Sequence, residues 1–497
     1  MKVLCAPMET ELAQPEKNAT KALFIIEANK TVDYILFPPL FLTGSTCGSL
    51  YQYSFFTEQQ NTQLARIISA MPERVVCVST IIDNGVEVPV MFNSDGVLDI
   101  HDINVALSLK DVKARRTNFL CFKHIHTIGS VEKLLCKLRG TVTFFTSCGK
   151  GESGARFVYS GACGGVYEDM ATVRCHEPVV IDDREGYDQQ ITEPDIYPNP
   201  IYPFVPVDTK YLDEAIDIMT YALRRRLDHM GSDKVVIGVS GGLDSTLALL
   251  IAVNAIRDTK NILGVNMPGL GSTEETANNA NILMEGLNVE SRTISIEDAV
   301  YGHFKDIGHS TSDHDLAYEN AQARERMQVL FDLCNMEGAI NLGTSDMSEM
   351  MLGFTTFGGD HISMFNVNAG VPKTLVRALV LRFAQKFPRV AAVLTSIATA
   401  PISPELLPEG QETEAILGTY KANDFAIYHT RVSRMGRKEL QSLLDMVGLN
   451  LNLDNFYRRI TSSQFKRNCC VDGVQVTGCC AMPGGDFDIP SDCKNIF

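Results

Sequence analysis

Val235-Val236-Ile237-Gly238-Val239-Ser240-Gly241-Gly242-Leu243-Asp244-Ser245 is the stretch whose reading decides the fold. A short β-branched apolar run is followed by a glycine turn and then by the start of an apolar segment. The run 235–239 has the composition of a strand buried on both faces, as in a parallel sheet. Gly241 and Gly242 allow a tight turn and let a ligand approach the backbone. Asp244 or Ser245 is placed to cap the apolar helix expected over 246–256. Backbone N–H groups at such a loop and helix start favour an anion, most often a phosphate. The loop is not of the kinase type, because no Gly-Lys-Ser/Thr ends it.

Working outward, the alternation of strand and helix continues downstream. Ile262-Leu263-Gly264-Val265-Asn266-Met267 reads as a second strand, 274–286 as a helix and 289–294 as a third strand. Tyr318-Glu319-Asn320-Ala321-Gln322-Ala323-Arg324-Glu325-Arg326 opens a long helix. Asn320 and Arg324 lie four apart and share a face, which Arg326 does not. A further strand is expected over 339–343. This pattern predicts a doubly wound parallel sheet with ligands at the carboxyl ends of its strands. Upstream, residues 1–190 read as a separate α/β domain, with strands near 3–6, 34–38 and 75–79 and helices near 20–29 and 58–71. Pro194, Pro198, Pro200, Pro203 and Pro206 crowd a short stretch, so 191–210 is expected to be a linker or extended arm. A helix over 212–227 then leads into a domain spanning 211–497.

The chain has 497 residues, 60 acidic against 44 basic, and a formal net charge of −16. That balance opposes a general role in holding nucleic acid. The opening Met1-Lys2-Val3-Leu4-Cys5-Ala6-Pro7 is too short in its apolar run for a secretory signal, and no stretch approaches the apolar length of a membrane span. Fourteen cysteines without small-scaffold spacing predict reduced thiols and a cytoplasmic location. Cys469-Cys470 and Cys479-Cys480 do not read as a zinc site, because adjacent cysteines splay apart on a strand and no histidine lies near.

Ser240-Gly241-Gly242-Leu243-Asp244-Ser245 resembles the pyrophosphate loop of the ATP pyrophosphatase superfamily. An ordered series follows it: Thr344-Ser345-Asp346-Met347-Ser348-Glu349, Leu352-Gly353-Phe354-Thr355-Thr356-Phe357-Gly358-Gly359-Asp360-His361, Asn366-Val367-Asn368-Ala369-Gly370-Val371-Pro372-Lys373-Thr374, Ile402-Ser403-Pro404-Glu405-Leu406-Leu407-Pro408, Gln411-Glu412-Thr413-Glu414, Gln464-Phe465-Lys466-Arg467 and Ile489-Pro490-Ser491-Asp492. Over 196–492 the chain resembles the synthetase domain of glutamine-dependent NAD synthetases, which implies an adenine nucleotide α-hydrolase-like fold. The resemblance assigns Gly238, Val239, Ser240, Gly241, Gly242, Leu243, Asp244, Ser245 and Thr344 to ATP. It assigns Asp244 and Glu349 to magnesium and catalysis. It places Asn320, Arg324, Glu349, Phe354, Asp360, Lys373 and Lys466 near deamido-NAD, with Phe354 standing where the family usually has tryptophan. The implied reaction joins ammonia to deamido-NAD, through an acyl-adenylate, with release of pyrophosphate and AMP. A homo-oligomer without membrane or nucleic-acid partners is expected.

Residues 1–190 resemble the nitrilase-like glutaminase domain of the same family, an α-β-β-α sandwich, most closely at Phe37-Pro38-Pro39-Leu40-Phe41-Leu42-Thr43-Gly44. That domain works with a glutamate base, a lysine and a nucleophilic cysteine. Pro39 stands at the glutamate's position. The lysine segment is expected near 104–119, where Lys110 and Lys113 have no matching context. Cys121, Cys136, Cys148 and Cys163 lack the surrounding Cys-Glu-Asp motif, and the chain contains no tryptophan. Loss of glutaminase activity and use of free ammonia are therefore expected. The competing readings are another ligase of the superfamily, such as a GMP synthetase, and a non-catalytic nucleotide binder. The segments 344–354, 366–374 and 464–467 argue against the first. Intact Asp244 and Glu349 argue against the second.

Overall fold

A computed structural model describes residues 1–100, 103–154, 156–401, 413–483 and 489–493. The motif residues Ile402 to Pro408, Gln411 and Glu412 lie outside the described residues. The chain divides into two compact units, residues 1–153 with 157–194 and residues 154–156 with 195–497.

The first unit is built on two six-stranded sheets. In one, the strands Lys2–Cys5, Tyr34–Leu36 and Val76–Asp83 run parallel, and Val179–Asp182 and Val86–Asn93 add antiparallel neighbours. In the other, Thr117–Phe122 and Thr141–Ser147 run parallel, and Ala162–Glu168 pairs antiparallel beside them. Val3, Cys5, Leu36 and Val78 of the first sheet meet Phe119, Cys121, Phe144 and Cys163 of the second in one buried cluster. The helices Pro15–Ala28 and Ser54–Ala70 cover the first sheet's outer face. Ser130–Leu138 covers the second. Each sheet therefore buries both faces, which gives the α-β-β-α layering. The first helix begins earlier than periodicity predicts, because Pro15 occupies its first turn, where a missing N–H costs nothing.

In the second unit six parallel strands lie in the order Glu290–Thr293, Ile262–Asn266, Val235–Gly238, Ile340–Gly343, Phe365–Gly370 and Gly473–Gln475. Numbered along the chain, that order is 3-2-1-4-5-6, the doubly wound arrangement. The strand order reverses between Val235–Gly238 and Ile340–Gly343, so ligands are expected just beyond their carboxyl ends. The helix Thr209–Met230 leads into the first of these strands. The proline-dense stretch before it carries Phe204, which is buried with Tyr420, Phe425 and Phe456 in a helical core.

Candidate active site

The strand Val235–Gly238 delivers the glycine loop to that reversal point. Val239 N–H still bonds Val265 O at 2.9 Å, and the chain then turns. Gly241 has φ of +84°, and a Cβ there would sit 2.1 Å from Thr276 O, so only glycine fits. Ser240 Oγ accepts from Gly242 N (3.1 Å) and meets Ser245 Oγ at 3.2 Å, which closes the loop. The helix begins at Leu243, with Gly242 as its N-cap. This corrects the expected start at residue 246 and the expected cap by Asp244 or Ser245. Both residues instead lie in the first turn, and no side chain caps the helix. Its first N–H groups therefore suit an anionic ligand.

Four charged side chains converge beside the loop. Lys373 Nζ lies 2.6 Å from Asp244 Oδ2, 2.5 Å from Asp346 Oδ2 and 2.8 Å from Glu349 Oε1, and the lysine side chain is 1 % exposed. Asp244 comes from the loop helix, Leu243–Ala255. Glu349 comes from the short helix Met347–Leu352, and Lys373 opens the helix Lys373–Lys386. Asp346 caps the Glu349 helix, its Oδ1 accepting from Ser348 N (2.7 Å) and Glu349 N (3.0 Å). Burial raises the pKa of Asp244 and Glu349; Lys373 opposes that rise, and the neighbouring carboxylates add to it. Burial disfavours the Lys373 cation, but three carboxylates outweigh it and hold its pKa well above the ordinary lysine value. The centroid of the Tyr420 ring lies 4.9 Å from Nζ.

Asp346 was not among the assigned residues. Its signal was present as Asp-x-x-Glu ahead of an apolar run, the capping-box spacing. One ligand atom from each of Asp244, Asp346 and Glu349 can be chosen within 4.8 Å of the others, the only such group of three among the described residues. Oδ1 of Asp244 is enclosed and has no hydrogen-bond partner. Three carboxylates against one ammonium leave acidic charge uncompensated. Oxygen donors, surplus negative charge and an unpartnered carboxylate oxygen together fit a hard divalent cation.

The loops around this centre are tied to the strand Phe365–Gly370. Asn368 Nδ2 donates to Asp244 O (3.0 Å) and Thr344 O (2.8 Å). Asn366 Nδ2 donates to Ser345 O (2.8 Å). Thr344, half-buried, thus follows the phosphate loop on the next strand end.

The remaining substrate candidates gather around the turn 353–361. Lys466 Nζ donates to Gly353 O (2.9 Å) and Thr355 O (2.6 Å), so it braces the residues on either side of Phe354. Phe354 is half-buried against the helical core, with the Arg459 guanidinium 5.9 Å from its ring centroid. Asp360 Oδ1 accepts from Thr356 N (2.6 Å). Arg324, exposed on the helix Leu316–Glu337, donates from Nε to Phe357 O (3.2 Å), and Asn320 stands half-buried one turn earlier. Arg326 points elsewhere, its Nε bonding Met267 O at 3.1 Å. Lys373 belongs to the carboxylate group and not to this turn.

In the first unit, Cys148 follows the strand Thr141–Ser147 and is buried. Its Sγ donates to Ser45 Oγ at 3.1 Å. Ser45 N donates to Glu152 Oε2 (2.6 Å), Ser45 Oγ donates to Pro39 O (2.9 Å), and Glu152 Oε1 has no hydrogen-bond partner. Burial pushes Glu152 up to about 7 and holds the Cys148 thiol well above its ordinary value. A lysine does stand close to this group, though not in the stretch 104–119. Lys123 follows the strand Thr117–Phe122 and lies 3.9 Å from Glu87. Cys121 and Cys163 are packed between the sheets, and Cys136 lies on the helix Ser130–Leu138. Cys5, Cys77, Cys121, Cys148, Cys163 and Cys334 are buried as free thiols, and no helix among the described residues is long and apolar enough to cross a membrane.

Residues 215–470, just over half of the chain, match the family model described as NAD synthase. The glutamine-dependent NAD(+) synthetase of Mycobacterium tuberculosis is 36% identical over 337 residues, covering 59% of this chain and 50% of that protein. The chain thus spans about half the length of that relative. The NH(3)-dependent NAD(+) synthetase of Fusobacterium nucleatum is 32% identical over 258 residues, covering 52% of this chain and 93% of that protein. A glutamine-dependent NAD(+) synthetase from Cytophaga hutchinsonii has the same fold, with a TM-score of 0.75 at 15% identity over 99% of this chain and 97% of its own. With the match to the family model and the near-complete coverage of the Fusobacterium enzyme, the chain belongs to the NAD synthase family.

Proposed function

We propose that this protein makes NAD by ATP-dependent amidation of deamido-NAD, with ammonia as the nitrogen donor. The observation that carries the reading is the junction of Asp244, Asp346, Glu349 and Lys373 with an uncapped helix start at the strand-order reversal. The loop from Gly238 to Ser245, with Thr344 beside it, binds ATP phosphates through backbone N–H groups and hydroxyls. Asp244 and Glu349, joined by Asp346, would hold magnesium, which when bound offsets charge on the phosphates. Lys373 contributes a fixed positive charge to the same pocket. The nicotinate carboxylate attacks the α-phosphorus and pyrophosphate leaves, giving an acyl-adenylate. Ammonia then attacks its carbonyl carbon and AMP departs. No side chain forms a covalent bond, so alignment and fixed charge carry the rate. Phe354, Asp360, Lys466, Arg324 and Asn320 are the residues we assign to the dinucleotide. Buried free thiols such as Cys5, Cys77 and Cys334 suit a reducing cytoplasm.

The first unit, in this reading, does not hydrolyse glutamine. Pro39 supplies only a carbonyl, already taken by Ser45, and the Cys148 thiol bonds a hydroxyl and not a base. A buried thiol with a raised pKa is a poor nucleophile. The test supplies protein, ATP, magnesium and deamido-NAD with either ammonium or glutamine. NAD formation with ammonium alone is expected. No NAD under saturating ammonium refutes the synthase reading. Glutamine-supported synthesis that is abolished by Cys148→Ala refutes the loss of amidase chemistry.

A further inference from the structure

Asp424 lies on the helix Tyr420–Arg431, in a stretch outside every motif quoted above. It is 1 % exposed. Its three hydrogen bonds come from neutral donors. Oδ1 accepts from Ser348 Oγ at 2.5 Å, and Oδ2 accepts from Thr374 N at 2.9 Å and Thr374 Oγ1 at 2.7 Å. Keeping a carboxylate in such a place is unfavourable unless its bonds are well made, and burial pushes its pKa up to about 6.

The donors matter because of what stands next to them. Ser348 directly precedes Glu349, and Thr374 directly follows Lys373. The helix Lys373–Lys386 has Pro372 at its N-cap and no side-chain cap there. Its first N–H, from Lys373, donates to Ser348 Oγ at 2.9 Å, and its second, from Thr374, goes to Asp424. The start of this helix is therefore capped from two other helices. Asp424 also places a negative charge at the positive end of its dipole. Tyr420, four residues earlier and on the same face as Asp424, sets its ring beside Lys373 Nζ.

We infer that Asp424 is a positioning residue: from a helix outside the motifs it locks Ser348 to Thr374 and so sets the separation of Glu349 and Lys373. The inference rests on the functional reading above, since it concerns how that centre is kept ready for a cation.

Asp424→Asn keeps the size but turns an NH2 group toward one of the donors. The direct readout is binding of Mn2+, followed by its electron paramagnetic resonance signal. It is paired with NAD formation normalised to the folded fraction from a urea titration. Losing a hydrogen bond that holds a metal-binding side chain in place is expected to weaken Mn2+ binding and lower kcat by about tenfold or more, with KM for deamido-NAD unchanged. Thr374→Ser, which keeps both donors, is expected to behave as wild type. Thr374→Val, which removes one donor, shifts metal binding and kcat in the same direction by less, and carries the test if Asp424→Asn does not fold. A purely structural role would lower stability and leave Mn2+ affinity and turnover per folded molecule at wild-type values; that result overturns the inference. Wild-type protein that binds no Mn2+ and makes no NAD overturns the functional reading, and the inference falls with it.

Discussion

Removing the cation at the centre, by Lys373→Met, tests the charge arrangement directly. Each of its three contacts, at 2.5, 2.6 and 2.8 Å, corresponds to about 6 kcal/mol of attraction at an effective dielectric of about 20. The three carboxylate oxygens that could share an ion lie within 4.8 Å of one another. Their mutual repulsion on the same scale is about 3.5 kcal/mol or more per pair. Methionine fills the space but leaves that repulsion uncompensated. The carboxylates relieve part of it by taking up protons, so the measurable loss should fall in the range of a broken buried pair, about 3–5 kcal/mol. Thermal unfolding of this unit, residues 154–156 with 195–497, should then shift down by about 5–8 °C. A divalent ion can replace the lost charge, so magnesium at roughly a hundred times its dissociation constant should restore about 2.7 kcal/mol. The assay is calorimetry with and without magnesium on both proteins. A loss below about 1 kcal/mol, or magnesium stabilisation no larger in the variant than in the wild type, would refute a charged trio held by Lys373.

Asp244→Asn should lower turnover more than tenfold, which is about 1.4 kcal/mol, with a smaller effect on folding; a smaller change in the NAD-formation rate counts against its role at the phosphates. Phe354→Ala should raise KM for deamido-NAD and leave that for ATP nearly unchanged; equal losses for both would assign Phe354 to packing under Arg459. Glu152, with a pKa of about 7 in the folded protein against an ordinary 4.5, contributes stability that is full below about pH 4.5 and lost as the pH rises through 7. Glu152→Gln keeps the acceptor for Ser45 N, so the variant should unfold at a higher temperature than wild type at pH 8 and at a similar one at pH 5; a difference independent of pH would show that the carboxyl does not titrate.

The strand, glycine loop and helix around Ser240 were legible because strand and helix periodicities are strong over long apolar segments. The helix start was misplaced by three residues because its cap is Gly242, which carries no side-chain signal. Asp346 stood inside a quoted motif, yet its place in the trio depends on convergence. Its partner Lys373 also reaches Asp244, 129 residues away in the chain. Lys123 lies outside the stretch 104–119 in which the family's lysine is expected, because it follows the end of the strand Thr117–Phe122. Tyr420 and Asp424 have no local signature: nothing in an amphipathic helix distinguishes a buried aspartate that caps its neighbour from one that faces water. Asp244, Glu349 and Lys373 carry assignments implied by the family resemblance, whereas their convergence with Asp346 and Asp424 is visible only in the fold.

Asn368 has a consequence for motion. One amide group holds Asp244 O on the phosphate loop and Thr344 O on the next strand end. Neither segment can open without losing that bond or carrying the other along, so the two should exchange their amide hydrogens as one cooperative unit. A nucleotide that touches only the glycine loop would then slow exchange around Thr344 as well. Asn368→Ala would uncouple the pair: protection by nucleotide would stay at 240–245 and disappear at 344–346.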